Sequence, residues 1–364
     1  MYVRKPKPSP KLSTTTQKKG LKGWCQRHLM AIILVLAAAI IAGVFIVAIT
    51  SISSRGDHPL NFFKKKPDEK FYSLLTGEQV ADDAARKKPV TAVMIENSPE
   101  ARPQSGLKHA GVVYEAPAEG GITRFMAVYQ GDKPSQIGPV RSLRIYYLGW
   151  GAPYQASIAH VGGSDNALQA VRANHRDIDQ FFNGGSYWRA RDRYAPHNVY
   201  TSGEKLDQLN AAKGYTQSTF TSFARIDEKA ADTPTASTIR LNFSSANYNT
   251  HYTYDKASNT YQRFLAGQPH RDREHGQISP KVIVALETTT ERRPGPDGYD
   301  DLVTTGSGKA TIFQNGTAKE ATWKKEGMTA PLRLLDADGK DVPLVRGQTW
   351  VGAFVAGRGG VSWE

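Results

Sequence analysis

A run of 21 uncharged, mostly apolar residues, 29–49 (LMAIILVLAAAIIAGVFIVAI), divides this chain into parts that must live in different surroundings. As a helix rising 1.5 Å per residue it matches a hydrocarbon core of about 30 Å, so a single transmembrane helix is expected. Before it stand Arg4, Lys5, Lys7, Lys11, Lys18, Lys19, Lys22 and Arg27, with no acidic residue among them. Basic flanks stay on the cytoplasmic side, which places the amino terminus inside and everything beyond residue 49 outside. A cleaved signal peptide has a shorter apolar region of about 7–15 residues ahead of its cleavage site, so an uncleaved anchor is the expectation.

This topology also accounts for the basicity. The formal net charge is +13, but eight of those charges belong to the tail before the apolar run, leaving +5 for the remainder. Arg55, Lys64, Lys65, Lys66 and Lys70 against Asp57, Asp68 and Glu69 take a further +2, so the part from Phe71 carries only +3. Phosphate binding needs a concentrated basic face, and no nucleic-acid partner is expected. The tail suits anionic lipid instead. Cys25 is the only cysteine, which excludes an intramolecular disulfide and a cysteine-based metal site.

Composition and periodicity divide the chain of 364 residues further. Residues 1–28, rich in Lys, Pro, Thr and Ser, are expected to be a disordered cytoplasmic tail, and 50–70 a juxtamembrane linker. Two globular domains follow, 71–225 and 239–364, joined by a polar linker at 226–238. The first alternates short β-rich runs, 90–96, 112–115, 125–129 and 157–161, with helical stretches at 142–150 and 166–173, a mixed α+β pattern. Ser164 or Asp165 suits the cap of the second helix, and Thr201 with Glu204 reads as a capping box ahead of Leu206 and Leu209. The second domain is mostly antiparallel β, with Asn315-Gly316 and Asp338-Gly339 as hairpin turns. Residues 267–279 read as a polar loop that interrupts it.

The segment from Thr91 to Arg144 concentrates the polar chemistry. Three apolar strand-like pieces are each followed by a polar loop marked by Gly and Pro, and loops on a rigid scaffold are where binding and catalysis concentrate. These loops hold Glu96, Asn97, Arg102, Gln104, Glu115, Glu119, Arg124, Arg141 and Arg144. Glu115 and Glu119, flanking Ala116-Pro117-Ala118, are the best pair for acid and base work. Glycoside cleavage uses two carboxyl groups about 5 to 9.5 Å apart. Arg102, Arg124, Arg141 and Arg144 offer forked donors for a planar anion, and equally could pair with Glu96, Glu100, Glu115 and Glu119. His160, before Gly162-Gly163-Ser164, and His197, beside Asn198, suit hydrogen bonding or proton transfer at a shared cleft. A Ser164 nucleophile lacks a G-x-S-x-G elbow. No metal or other cofactor is expected: H-E-x-x-H is missing, His251, His270 and His275 lack ligand spacing, and Asp297 to Asp301 lacks the distal Glu of a calcium loop. No phosphate-binding loop occurs.

The strings PVTAVMIENSPEARPQSGL, VVYEAPAEGGITRFMAVYQ, IGPVRSLR, HVGGS and APHNVYTS, then YTYDKASNTYQRF, GSGKATIFQNGTAKEATWKK and GQTWVGAF, resemble the DUF3048 family across about residues 71–356. The resemblance implies a mixed α/β amino-terminal domain, a β-rich companion and an envelope location outside a bacterial membrane, often by lipid attachment. Cys25 departs from that pattern, because it precedes the apolar run and is not placed as a lipidated cysteine. The family positions implied for a cleft are Glu96, Asn97, Arg102, Glu115, Glu119, Arg124, Arg141, Arg144, His160, His197 and Asn198. Together these readings point to a single-pass envelope protein whose exported part binds a cell-wall polymer or a wall-processing partner. The alternative is a glycan-cleaving enzyme with Glu115 or Glu119 as general acid.

Overall fold

The structure is a computed structural model that describes residues 21–53, 69–293 and 300–364. The expected tail and linker fall largely outside the described residues. The chain forms two compact units, Met1–Glu69 and Lys70–Glu364. In the first, helix α1 (Leu21–Ser53) contains the whole apolar run, and its described apolar side chains, Leu34, Ile40 and Phe45 among them, are exposed. Among the described residues, no helix is long and apolar enough to cross a membrane. The single span therefore rests on the sequence.

The second unit is built on two sheets. The strands of these two sheets are β1 (Thr91–Glu96), β2 (Val112–Pro117), β3 (Thr123–Tyr129), β4 (Ser157–Ala159), β5 (Arg176–Asp177), β6 (Thr238–Asn242), β7 (Thr250–Asp255), β8 (Thr260–Leu265) and β9 (Gln268–Pro269). They continue with β10 (Val282–Thr288), β11 (Gly306–Gln314), β12 (Thr317–Lys325), β13 (Arg333–Leu335), β14 (Thr349–Val355) and β15 (Gly360–Trp363). A ten-stranded mixed sheet runs in the order β13-β12-β11-β10-β14-β2-β3-β1-β4-β5, and a five-stranded antiparallel sheet in the order β9-β8-β7-β6-β15. The sequence divides this unit at 226–238, yet the large sheet runs across both halves. Strand β14 pairs in parallel with β2, from Thr349↔Val112 to Gly352↔Glu115.

Strands β1 and β3 are buried along their whole length, which is what near-continuous apolar strands covered on both faces require. Helix α2 (Ile145–Gly151) and helix α3 (Asp165–Asn174) contribute Tyr147, Trp150 and Val171 to the core on one face, beside Met94, Tyr114 and Met126. The small sheet covers the other face, where Ile239, Tyr252 and Tyr261 join the core of Val113, Phe125 and Trp350.

Some local expectations shift. Helix α2 starts at Ile145, later than expected, after an extended Arg144. Ser164 precedes α3, but its hydroxyl donates to Asn166 Oδ1 at 2.7 Å instead of capping the backbone. Helix α4 (Gly203–Ala212) is capped by Ser202, which accepts from Lys205 N at 3.2 Å; Thr201 donates instead to Ser186 O, so the expected Thr201–Glu204 box does not form. Asn315 and Gly316 both take positive φ, 57° and 80°, as a tight two-residue turn between β11 and β12 needs. The polar stretch 267–279 is no free loop: it supplies β9 and a small hairpin, and it buries His270 and Asp272.

Candidate functional site

The period-2 alternation of β2 turns Tyr114 toward the helices and Glu115 toward the small sheet. There Glu115 is fully buried and meets Arg263 of β8, itself fully buried. Arg263 Nη2 donates to Glu115 Oε2 at 2.8 Å, and Trp350 Nε1 donates to the same oxygen at 3.0 Å. Thr123 Oγ1 donates to Oε1 at 3.1 Å and receives Asn97 Nδ2 at 2.6 Å. Gln104 Nε2 donates to Asn97 Oδ1 at 3.0 Å, His270 Nε2 lies 3.0 Å from Gln104 Oε1, and Arg263 Nε donates to His270 Nδ1 at 2.8 Å. Six side chains thereby close a hydrogen-bonded ring, with Arg263 also donating to the Tyr252 hydroxyl and stacking 4.2 Å from the Trp350 ring centroid.

The donors fix the proton positions around this ring. Arginine can only donate, so His270 Nδ1 accepts, Nε2 carries the proton, and Gln104 presents its oxygen to it. Thr123, having received from Asn97, passes its own proton to Glu115, which accepts from three donors as a carboxylate. Burial raises Glu115 above the ordinary carboxylate value, and Arg263, Trp350 and Thr123 oppose that rise only in part. Burial, then the charges of Arg263 and Arg102, hold His270 well below the usual histidine range. Arg102 stacks over Tyr248 at 5.4 Å and reaches Asn97 Oδ1 at 3.2 Å, bracing the ring from outside.

Four residues further on, the chain has left the sheet. Glu119 opens a short 3-10 turn, Glu119–Gly121, and its side chain is 37% exposed. Arg124 Nη2 donates to its Oε2 at 3.0 Å, and Arg144 Nη2 pairs with Oε1. The other arm of Arg124 donates to Ser142 O at 2.8 Å, which fixes the fork. Beside this clamp opens a cleft of about 220 Å³ lined by Glu119, Arg144, Tyr146, Ser164, Asp165, Arg293 and Asp301, among others. Arg293 grips Asp301 through two bonds of 3.0 and 2.7 Å, and Asn166 Nδ2 donates to Asp301 at 2.9 Å. Residues 294–299, next in the chain to this wall, lie outside the described residues. A larger groove of about 430 Å³, with Leu75, Glu78, His109 and Gln130 in its lining, holds none of the expected site residues.

The histidines separate. His160 is buried, with Nδ1 2.8 Å from Gly162 O and Nε2 3.0 Å from Asp177 Oδ1. Both partners are acceptors, so the ring is held at both ends. His197 Nδ1 lies 2.9 Å from Glu96 Oε2 and 3.2 Å from Ser98 Oγ, and Arg141 Nε stands 3.4 Å from the other Glu96 oxygen. Asn198 accepts from Arg189 Nη1 at 2.8 Å and donates to the carbonyls of Ala190 and Arg193, holding its own loop.

The expected common cleft is therefore divided. Glu115, Asn97 and Arg102 belong to the sealed ring and its brace; Glu119, Arg124 and Arg144 belong to the open cleft. Glu96, Arg141 and His197 form a third cluster. Glu115 and Glu119 do not face one another across a substrate space, because one points into the layer between the sheets and the other lies beyond the strand end. Sequence reasoning missed Arg263, His270 and Trp350. A signal was available for Arg263: in β8 it shares the buried register with Tyr261 and Leu265. Among the described residues no group of three or more metal-ligating side chains occurs.

Comparison with known proteins follows the same two halves. "Protein of unknown function (DUF3048) N-terminal domain" matches residues 75–216, and "Protein of unknown function (DUF3048) C-terminal domain" matches 239–351. The chain is 33% identical over 293 residues to "Putative lipoprotein YerB" of Bacillus subtilis (strain 168), covering 78% of this chain and 86% of the relative. The crystal structure of YerB protein from Bacillus subtilis superposes with a TM-score of 0.72 at 29% identity, over 80% of this chain and 100% of that one.

Proposed function

The chain belongs to the DUF3048 family, and from that premise we propose that it is a membrane-tethered, extracytoplasmic envelope protein that binds a peptide-bearing cell-wall polymer without cutting it. The tether is the apolar run within α1, oriented by the eight cations before it. The lipoprotein designation of the Bacillus relative supports the same location by another kind of attachment.

One observation carries the choice of binding over cleavage: Glu119 sits between two guanidinium groups at the rim of an open cleft, while Glu115 is sealed. Glycoside cleavage needs two carboxyl groups flanking one substrate, and the sealing of Glu115 removes it as the partner of Glu119. Arg144 and Arg293 line the cleft together with Glu119, Asp165 and Asp301, a mixture of charges that suits a ligand bearing both carboxylate and ammonium groups, as wall peptides do. Incubation of Lys70–Glu364 with intact wall sacculi and with membrane extract tests this. Retention on sacculi that Arg144→Ala abolishes is the expected result; no retention on either material overturns it. Release of soluble wall fragments by the wild type but not by Glu119→Gln would replace binding with glycan cleavage.

A further inference from the structure

We infer that the turn carrying Phe181 and Phe182 is a membrane-docking element that lays the globular unit against an anionic bilayer surface. The two phenylalanines are adjacent and 68% and 70% exposed, in a unit whose other large apolar side chains are mostly buried. Paired exposed aromatics of this kind mark contact surfaces. They are held outward by an ordered turn. Fully buried Asp179 accepts from Gly162 N at 3.1 Å and Phe181 N at 3.2 Å, while its backbone carbonyl takes Phe182 N at 3.2 Å and Asn183 Nδ2 at 2.7 Å.

The surroundings favour lipid as the occupant. The Arg172 guanidinium lies 5.1 Å from the Phe182 ring, and Lys205 Nζ donates to Gly185 O at 3.1 Å on the same turn. Asp177 and Asp179 share the charge of Arg172 from behind, at 3.9 and 3.4 Å. Aromatic rings flanked by Arg and Lys are the composition that settles at the headgroup boundary of an anionic membrane. Covalent connectivity supplies the second argument, and it rests on the tethered reading above. Residues 54–69 separate the end of α1 from the globular unit, and even fully extended they reach no more than about 58 Å. A short tether makes docking intramolecular, so two phenylalanines suffice where they would not hold a free protein.

The test uses the full chain in vesicles containing anionic lipid. With Cys25→Ser removing the only cysteine, Gly184→Cys places an environment-sensitive fluorophore on the turn, where the added side chain meets open space. Ala257→Cys, exposed at the turn between β7 and β8, is the control. The expected result is a blue-shifted emission at 184, quenched by nitroxide-bearing lipid, with neither effect at 257. Phe181→Ser with Phe182→Ser should lower the docking equilibrium constant by about tenfold per ring. An unshifted signal at 184 in carbonate-resistant protein overturns docking and leaves the tether intact. A shift that grows with protein density and ignores lipid nitroxides overturns it in favour of a protein contact. Complete extraction by carbonate overturns the tether instead; docking is then read from the same fluorophore after adding vesicles to the soluble chain, by the same criteria.

Discussion

Glu115 and Glu119 stand four residues apart in one string, VVYEAPAEGG, and each is paired with arginine, yet the two pairs have opposite physical characters. Glu115 lies on a central strand, where alternation turns it into the layer between two sheets. Its partner Arg263 comes from the other half of the chain, and neither side chain touches water. Glu119 lies past Pro117, where the backbone leaves the sheet through Gly120 at φ 62°. Its partners Arg124 and Arg144 come from the same half of the chain, and its side chain is 37% exposed beside the open cleft. A buried pair is costly to make and costlier to halve, whereas an exposed pair can exchange a protein partner for water or a ligand. The difference assigns the first pair to holding the halves together and the second to recognition.

The largest expected effect follows from breaking the sealed pair. Glu115→Gln leaves Arg263 charged and uncompensated in a dry interior, and should cost about 3–5 kcal/mol in urea denaturation. Glu115→Gln combined with Arg263→Met should cost clearly less than the two single losses added, because neither charge then remains alone. A single-variant loss below about 1 kcal/mol would mean that water enters the ring, and the contrast with Glu119 would disappear.

A second effect sharpens the same contrast through pH. His270 is held well below the ordinary value of 6.5, so below that pH the unfolded chain binds a proton that the folded ring refuses. The unfolded state therefore carries more protons, and stability rises with pH. It is complete above about 6.5 and falls, as pH drops, by up to about 1.4 kcal/mol per unit. His109, His175 and His251 are also lowered by burial, so the informative quantity is the wild type minus His270→Gln. That difference should slope between pH 6.5 and 5 and be flat above; a difference independent of pH would place the proton elsewhere.

Legibility in the sequence tracked how local each feature was. The strands of the central sheet were readable because apolar runs bounded by turn residues need no partner to be recognised, and Asn315-Gly316 declared its hairpin by its own conformational preference. The interlocking of the two halves was not readable, since the pairing of β14 with β2 joins Thr349 to Val112 and has no local signature. The same distance hid the sealed ring: Glu115, Arg263 and Trp350 meet only after both sheets have formed. Capping erred by one residue, from Thr201 to Ser202, because both residue types suit the position and backbone geometry chooses between them. The open cleft was half legible. Glu119, Arg124 and Arg144 are close in sequence, whereas Arg293 and Asp301 arrive from the second half.

The smallest effect on stability should accompany the open pair, and it is the more decisive for function. In Glu119→Gln, water can re-solvate Arg144 and the carbonyl of Ser142 still holds Arg124, so the loss should stay within about 1 kcal/mol. Arg144 keeps a second bond to Leu143 O at 2.8 Å, so its fork should remain at the cleft after the carboxylate is gone. Retention on wall sacculi should nevertheless change, because the variant removes one of the charges that a ligand ammonium would meet. Denaturation and sacculus retention measured on the same preparation separate the two roles. A variant as unstable as Glu115→Gln would make Glu119 a second structural clasp, while a stable variant with unaltered retention would move recognition out of this cleft. A stable fold with weakened retention is what a carboxylate placed for a ligand requires.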